Sequence, residues 1–496
     1  MLILEQIYIY RYQMHNTRII AVLKTLTTKE FTNFVKFVRS PFYNTHEKLI
    51  ELIEVLQKDY PKFTSDRITK ENLLKKLYPS EAYTELKINH LSSYLLKLLE
   101  DYLSYLNYTR HEIVYKYHLA NELRERKLFP HFESILREMR DIQGKVKYKD
   151  FAFFYNQYNL EKETELYNSD QGIMKQDQSL QDQMDNFDIY YILTKLRNTC
   201  SMLNQKRIIT ADYKLNMVEE IMNYLGYNNK KFQEIPLINI YYNIFMLLVN
   251  PDDESYYHKL KELLHANKAH YGIELLREMY MYPQNYCAQK VNLGRNEYLK
   301  ELFNLNITLT EEKIVFIDGY LPERVYENTV RLGLRMNEIQ WTYNFIENYK
   351  NYLDPITRNN AYAYNLATFY YETKEYEKSL KLLNKVEFTD LFYNLGAKSL
   401  LLKIYYDTNA IEPFLSLSDA FKIYLKRNKL ISTQRVTSYS NYVRFVKSVF
   451  NLKLQMFNYG NDIKEDKLKR VEQRIRETEP VANKKWILEQ IEKLQP

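Results

Sequence analysis

Only nine of the 496 residues are glycine, where an average protein would use about 7%. The two closest in sequence, Gly319 and Gly333, are still well separated. Loops of the G-x-G-x-x-G and G-x-x-x-x-G-K-[ST] kinds need clustered glycines to bring the backbone onto a phosphate, so neither can be built here. Tight β-hairpins also draw on glycine for their positive-φ positions. Sheet-rich folds are therefore disfavoured, and an all-α chain is expected.

With 45% hydrophobic and 27% charged residues, the chain can bury a large core. The net charge of +7 is small for this length. Lysines and glutamates are interspersed, and no block of five like charges forms a nucleic-acid tail. Cys200 and Cys287 lie far apart and in no C-x-x-C pair, which fits a reduced, cytoplasmic setting. The opening stretch MLILEQIYIYRYQM is apolar, but it carries Glu5 and Arg11 and lacks a small-residue cleavage site. It is also too short to span a bilayer, so no membrane insertion is expected. Met14 offers an alternative start, which would leave residues 1–13 outside the translated chain.

The 48 tyrosines exceed the 24 phenylalanines. Aromatic platforms for single-stranded bases are one reading. A compositional origin is simpler, because Tyr, Asn, Lys, Ile and Phe share A/T-rich codons and rise together in an A/T-rich bacterial genome. Tyrosine also suits half-buried helix faces, since its ring packs while its hydroxyl stays wet.

Residues 15–110 read as a helical unit. Thr27 and Glu30 form a capping box ahead of Phe31, Phe34, Val35 and Val38. Ser40–Asn44 breaks that helix, Thr45 caps the next, and Pro61 closes it. Thr69 then caps a short helix with Leu73, Leu74 and Leu77, and a longer one follows with Ile88, Leu91, Leu95, Leu98, Leu99 and Tyr102. Residues 111–167 form a helical connector. Residues 168–186, NSDQGIMKQDQSLQDQMDN, are polar and are expected to be a loop or irregular connection and a domain boundary, with Ser179 as a point where a helix can resume. Irregular helical hairpins occupy 187–322, where Asp318-Gly319 signals a turn without flanking strands. Residues 431–496 end the chain in capping helices, the last two carrying Leu468, Val471 and Ile475, then Trp486, Ile487 and Ile491.

Residues 323–430 are periodic. Ala363, Leu366-Ala367, Tyr370, Ser379, Leu383 and Val386 recur 34 residues later as Ala397, Leu400-Leu401, Ile404, Pro413, Leu417 and Ala420. An earlier copy has Leu332-Gly333, Met336, Phe345, Tyr349 and Tyr352, closed by Asp354-Pro355. The three copies resemble the tetratricopeptide repeat. They depart from it at Ala363, where an aromatic is expected, and at Phe345 and Pro413, where a small residue is expected. The resemblance implies a right-handed α-solenoid of stacked hairpins whose first helices line a concave face. A peptide or partner helix would lie along that face. Carried over residue by residue, the family's groove positions fall on Tyr364, Thr368 and Tyr371, then on Lys398, Leu402 and Tyr405.

A second, shorter resemblance covers TKENLLKKLYP (69–79) and KINHLSSYLLKLLE (87–100), which look like the helix–turn–helix core of winged-helix regulators carrying a tetratricopeptide-like domain. It implies a second helix in the DNA major groove. The β wing of that family is missing, since 101–125 still reads as helix, and Lys87 and Lys97 are balanced by Glu85, Glu100 and Asp101. Nucleic acid is accordingly not the expected partner.

Catalytic groups appear only as fragments. His111-Glu112 begins like a zinc-protease helix, but the position four after His111 is Tyr115. His111 with His118, and His258 with His265 near His270, recur two turns apart and read as surface histidines. No G-x-S-x-G occurs. The expectation is a non-enzymatic protein-interaction module without metal or cofactor, ahead of a DNA-binding regulator and of an enzyme with a site between hairpins.

Overall fold

A computed structural model of the chain describes residues 14, 17–80, 84–173, 178–206, 212–227, 235–384, 391–459 and 465–495. Among the described residues there are twenty-three α-helices and no strand beyond one antiparallel bridge, Ile317 with Tyr320. At that bridge the Asp-Gly signal does close a hairpin, one residue pair long. Asp318 and Gly319 both take positive φ (51° and 82°), and Ile317 and Tyr320 exchange two backbone hydrogen bonds of 2.9 Å. This is the two-residue turn favoured between twisted strands.

The chain divides into two compact units, Met1–Lys195 and Leu196–Pro496. In the first, α1 (Arg18–Leu23), α2 (Thr28–Arg39), α3 (Glu47–Gln57), α4 (Lys70–Leu77) and α5 (Glu85–Arg110) enclose one core, with Leu23, Phe34, Val38, Leu52, Leu56, Leu73, Leu95 and Leu99 all buried. The Thr27–Glu30 capping box forms in both directions. The next helix start is arranged by Asn44 rather than Thr45: buried Asn44 accepts from the His46 N–H at 2.9 Å and donates to the Val38 carbonyl at 2.8 Å. Where a wing would follow α5, a further helix begins, α6 (Glu112–Glu125). It packs with α7 (Phe129–Gly144) and α8 (Phe151–Asp170) around Ala120, Phe132, Leu136, Met139 and Leu160. Beside this cluster the buried Glu163 carboxylate meets Arg124 Nε at 2.9 Å.

The described residues of the polar stretch 168–186 are mostly helical. α8 runs to Asp170, and α9 (Gln178–Lys206) starts well before residue 187. Gln178 and Gln181 bond to Asp182 and Asp185, each four residues on. The polar composition thus belongs to a solvent-facing helix with i,i+4 pairs, and the division between the units falls inside α9.

The second unit begins with α10 (Val218–Tyr227), α11 (Pro236–Val249), α12 (Ser255–Asn267), α13 (Ile273–Asn292) and α14 (Glu297–Glu311). It continues with α15 (Glu323–Arg335), α16 (Ile339–Tyr349), α17 (Arg358–Glu372), α18 (Tyr376–Leu383), α19 (Leu391–Asp407) and α20 (Ile411–Arg427), and ends with α21 (Thr433–Tyr459), α22 (Glu465–Glu477) and α23 (Lys484–Glu492). From α11 to α20 consecutive helices pack in pairs, and the first helices α15, α17 and α19 lie side by side.

The last three of these hairpins turn in one way. Asn337, Lys374 and Asn409 take positive φ (60°, 62° and 55°). The N–H of the following residue bonds back to a carbonyl inside the first helix: Glu338 to Gly333, Glu375 to Tyr370, and Ala410 to Tyr405. This is the Schellman closure, which satisfies carbonyls that a helix end leaves without partners. The turns lie 37 and then 35 residues apart, so the 34-residue frame drifts. In the first hairpin the helices meet closely, and a Cβ at Gly333 would stand 2.2 Å from Thr342 Oγ1.

Several tyrosine hydroxyls are bonded rather than wet. Tyr60 donates to the Leu26 carbonyl (2.6 Å), Tyr102 to Glu30 (2.9 Å), Tyr286 to Pro251 (3.1 Å), Tyr326 to Ile346 (2.9 Å) and Tyr442 to Ser399 (3.1 Å). Each joins backbone distant in sequence, a linkage that phenylalanine packing alone cannot supply.

Candidate partner-binding groove

The shared turn provides a register for the first helices. Counting back from it, Glu327, Arg331 and Leu334 of α15 match Tyr364, Thr368 and Tyr371 of α17, and Ser399, Lys403 and Tyr406 of α19. All of these but Glu327 and Tyr406 converge on one cleft. This cleft of about 480 Å³ is lined by Arg331, Leu334 and Arg335 from α15, Tyr364, Thr368, Tyr371 and Glu372 from α17, and Gly396, Ser399, Leu400 and Lys403 from α19. Gly396 admits the Tyr364 ring, whose hydroxyl would lie 2.8 Å from a Cβ placed there.

Of the six positions taken from the repeat resemblance, Tyr364, Thr368 and Tyr371 do line this cleft, whereas Lys398, Leu402 and Tyr405 do not. Lys398 lies over the Tyr424 ring at 5.3 Å, Leu402 is fully buried, and Tyr405 packs against the same core. The cause is the 35-residue spacing between these turns. Counting 34 lands one residue early, and one residue rotates a helix by about 100°. The positive-φ turn residues Lys374 and Asn409 mark the correct offset, and no apolar pattern does.

The opposite wall comes from the last helix. Ile487, Gln490 and Ile491 bury one side of α23, the isoleucines in the core that α21 shares. Asn483, Lys485, Trp486 and Glu489 line the cleft. Trp486 donates its indole N–H to the Tyr371 hydroxyl at 3.1 Å, and Tyr371 donates onward to Asp407 Oδ2 at 2.9 Å. The indole meets Tyr406 edge-on at 5.4 Å between centroids, and Lys403 Nζ sits 5.2 Å from its ring centre. Both contacts have favourable geometry. A second cleft of about 410 Å³ shares Tyr371 and Glu372 and adds Lys374, Tyr376, Tyr406, Asp407, Lys453, Gln490, Lys493 and Leu494.

Burial shifts the charged groups here. Desolvation pushes Lys403 down to about 8, against the pull of Glu372, Glu489 and Asp407 and together with the repulsion of Arg331. Desolvation raises Glu372 and Asp407; the Tyr371 hydrogen bond and nearby lysines oppose it at Asp407. Burial and the Asp407 carboxylate push the Tyr371 phenol well above its usual range. No histidine lines either cleft. Among the described residues no three His, Cys, Asp or Glu side chains gather as a metal site. What the groove offers is shape, aromatic edges, hydrogen-bond partners and mixed charge.

In the first unit, the helix pair of the shorter resemblance is α4 and the first half of α5. The exposed side of α5 shows Leu86, Lys87, His90, Tyr94 and Lys97, with Glu100 and Asp101 beyond. Glu100 pairs with Arg18 at 2.9 Å and Glu85 with Lys70 at 2.5 Å. Among the described residues no helix is long and apolar enough to cross a membrane. No protein-family model matches the chain, and no curated protein or solved structure is significantly similar to it.

Proposed function

We propose that the second unit is a non-enzymatic interaction module, a solenoid of tetratricopeptide-like hairpins that binds a peptide or partner helix along the face of α15, α17 and α19. The observation that carries this reading is Trp486. A side chain from a separate helix inserts against Tyr371, Tyr406 and Lys403, as an anchor residue of a bound helix would. Stacked hairpins characteristically use their first-helix face in this manner.

The test is capture of partners from lysate of the source cells by the tagged chain, with and without nuclease, beside a Thr368→Arg variant. Thr368 is half-buried on the cleft wall, so arginine there fills the groove from α17. A protein retained after nuclease and lost with Thr368→Arg supports the reading. Capture indifferent to Thr368→Arg, or abolished by nuclease, refutes it.

A further inference from the structure

Resting on that reading, we infer that α23 is a resident occupant of the groove, and that the partner is an amphipathic helix presenting an aromatic anchor in the place of Trp486. Trp486 is half-buried, and its contacts are of the kind a ligand makes: an indole N–H to Tyr371, an edge on Tyr406 and a ring face toward Lys403. α23 lines the cleft of about 480 Å³ with Trp486 and Glu489 and the cleft of about 410 Å³ with Gln490, so open space adjoins it along its length. Its hold is also limited. In this nine-residue helix Ile487, Gln490 and Ile491 are buried and Trp486 and Leu488 pack partly against the same core, and short helices near a chain end open at a fraction of the global unfolding free energy. The groove-facing residues Trp486 and Glu489 are three apart, hence neighbours on one side of the helix. A competitor with that pattern would meet the same Tyr371, Lys403 and Tyr406 partners.

Self-occupancy weakens a competitor by the fraction of molecules whose groove is free. A groove open in about 1–10% of molecules lowers apparent affinity roughly 10- to 100-fold. The probe is a fluorescein-labelled peptide of this chain's residues 483–494, NKKWILEQIEKL, titrated by anisotropy into the full chain and into Trp486→Ala. The alanine variant should bind it roughly 10- to 100-fold more tightly, and Thr368→Arg should remove that binding.

Because alanine could loosen α23 more widely, a second measurement keeps Trp486 in place. The chain has two tryptophans. Trp341→Phe therefore leaves Trp486 as the sole reporter. A peptide with phenylalanine at the anchor position should shift its emission to the red and increase acrylamide quenching. Equal affinity for both chains with unchanged emission overturns the resident-occupant inference, while sensitivity to Thr368→Arg would keep the groove. Failure of the peptide to bind Trp486→Ala also overturns it, and partner capture dependent on Thr368 then reports on the groove alone.

Discussion

Lys403 should make the stability of the second unit rise with alkaline pH. Lys403 is half-buried on the groove wall, its ammonium deeper than its stem and facing Glu372 of α17, Arg331 of α15, Asp407 of its own helix and Glu489 of α23. Desolvation is the largest of these influences and brings the group from its ordinary 10.5 to about 8. Below about 8 both folded and unfolded chains hold the proton, and the folded state bears the full cost of the buried charge. Between about 8 and 10.5 the folded amine is neutral while the unfolded one stays protonated. The unfolded state then binds more protons, so unfolding free energy climbs with pH. A complete shift of this size corresponds to about 3 kcal/mol. Water in the adjoining cleft screens the amine and reduces this to roughly 1–2 kcal/mol. The assay is urea unfolding of the wild-type chain and Lys403→Met at pH 7 and pH 10. The double difference isolates Lys403 from every other group that titrates in this range. Wild type should gain about 1–2 kcal/mol on Lys403→Met across the interval. An unchanged difference, or a loss by wild type, would refute the argument.

Other substitutions test the packing. Gly333→Ala would normally favour a helix by about 1 kcal/mol. Here the added Cβ meets Thr342 Oγ1, so a net loss of about 1–3 kcal/mol is expected, and Thr342→Ala should recover part of it in thermal unfolding of the double variant. Thr27→Ala removes one side of the capping box and should cost about 1 kcal/mol in urea unfolding. Arg124→Met strands the buried Glu163 carboxylate and should cost about 3–5 kcal/mol at pH 7. Tyr371→Phe deprives the Trp486 N–H of its acceptor and Asp407 of its donor. It should cost about 0.5–1.5 kcal/mol and make Trp486 more accessible to acrylamide.

Much of the helical architecture was legible because its signals are local. Apolar spacing located the helices that bury Phe34, Leu52 and Leu95, and the Thr27–Glu30 box named its own start. Three features were hidden for separate reasons. The polar run before residue 187 looks like a loop because glutamine and aspartate serve loops and solvated helices alike. Asn44 and Thr45 are both acceptable caps by type, and only the buried bonds of Asn44 to Val38 and His46 separate them. The groove register required the repeat length to the exact residue, while large apolar side chains tolerate an error of one. Leu401 and Leu402 look interchangeable in a pattern, yet Leu402 is fully buried and Leu401 only partly so. The contacts of Trp486 with Tyr371 and Tyr406 could not be read either, since they join residues remote in the chain.

The stapling tyrosines provide the chain with an internal clock. Burial holds the phenols of Tyr102, Tyr326 and Tyr442 above the ordinary range, and each hydroxyl is committed to a distant carbonyl. After a sudden jump to strongly alkaline solution, exposed phenols ionise within the mixing time. A stapled phenol ionises only when its own segment parts from the carbonyl that holds it. The slow rise in phenolate absorbance therefore timestamps local opening without any added label. Replacing one tyrosine at a time with phenylalanine would assign each phase to Tyr102 at α2 and α5, Tyr326 at α15 and α16, or Tyr442 at α19 and α21.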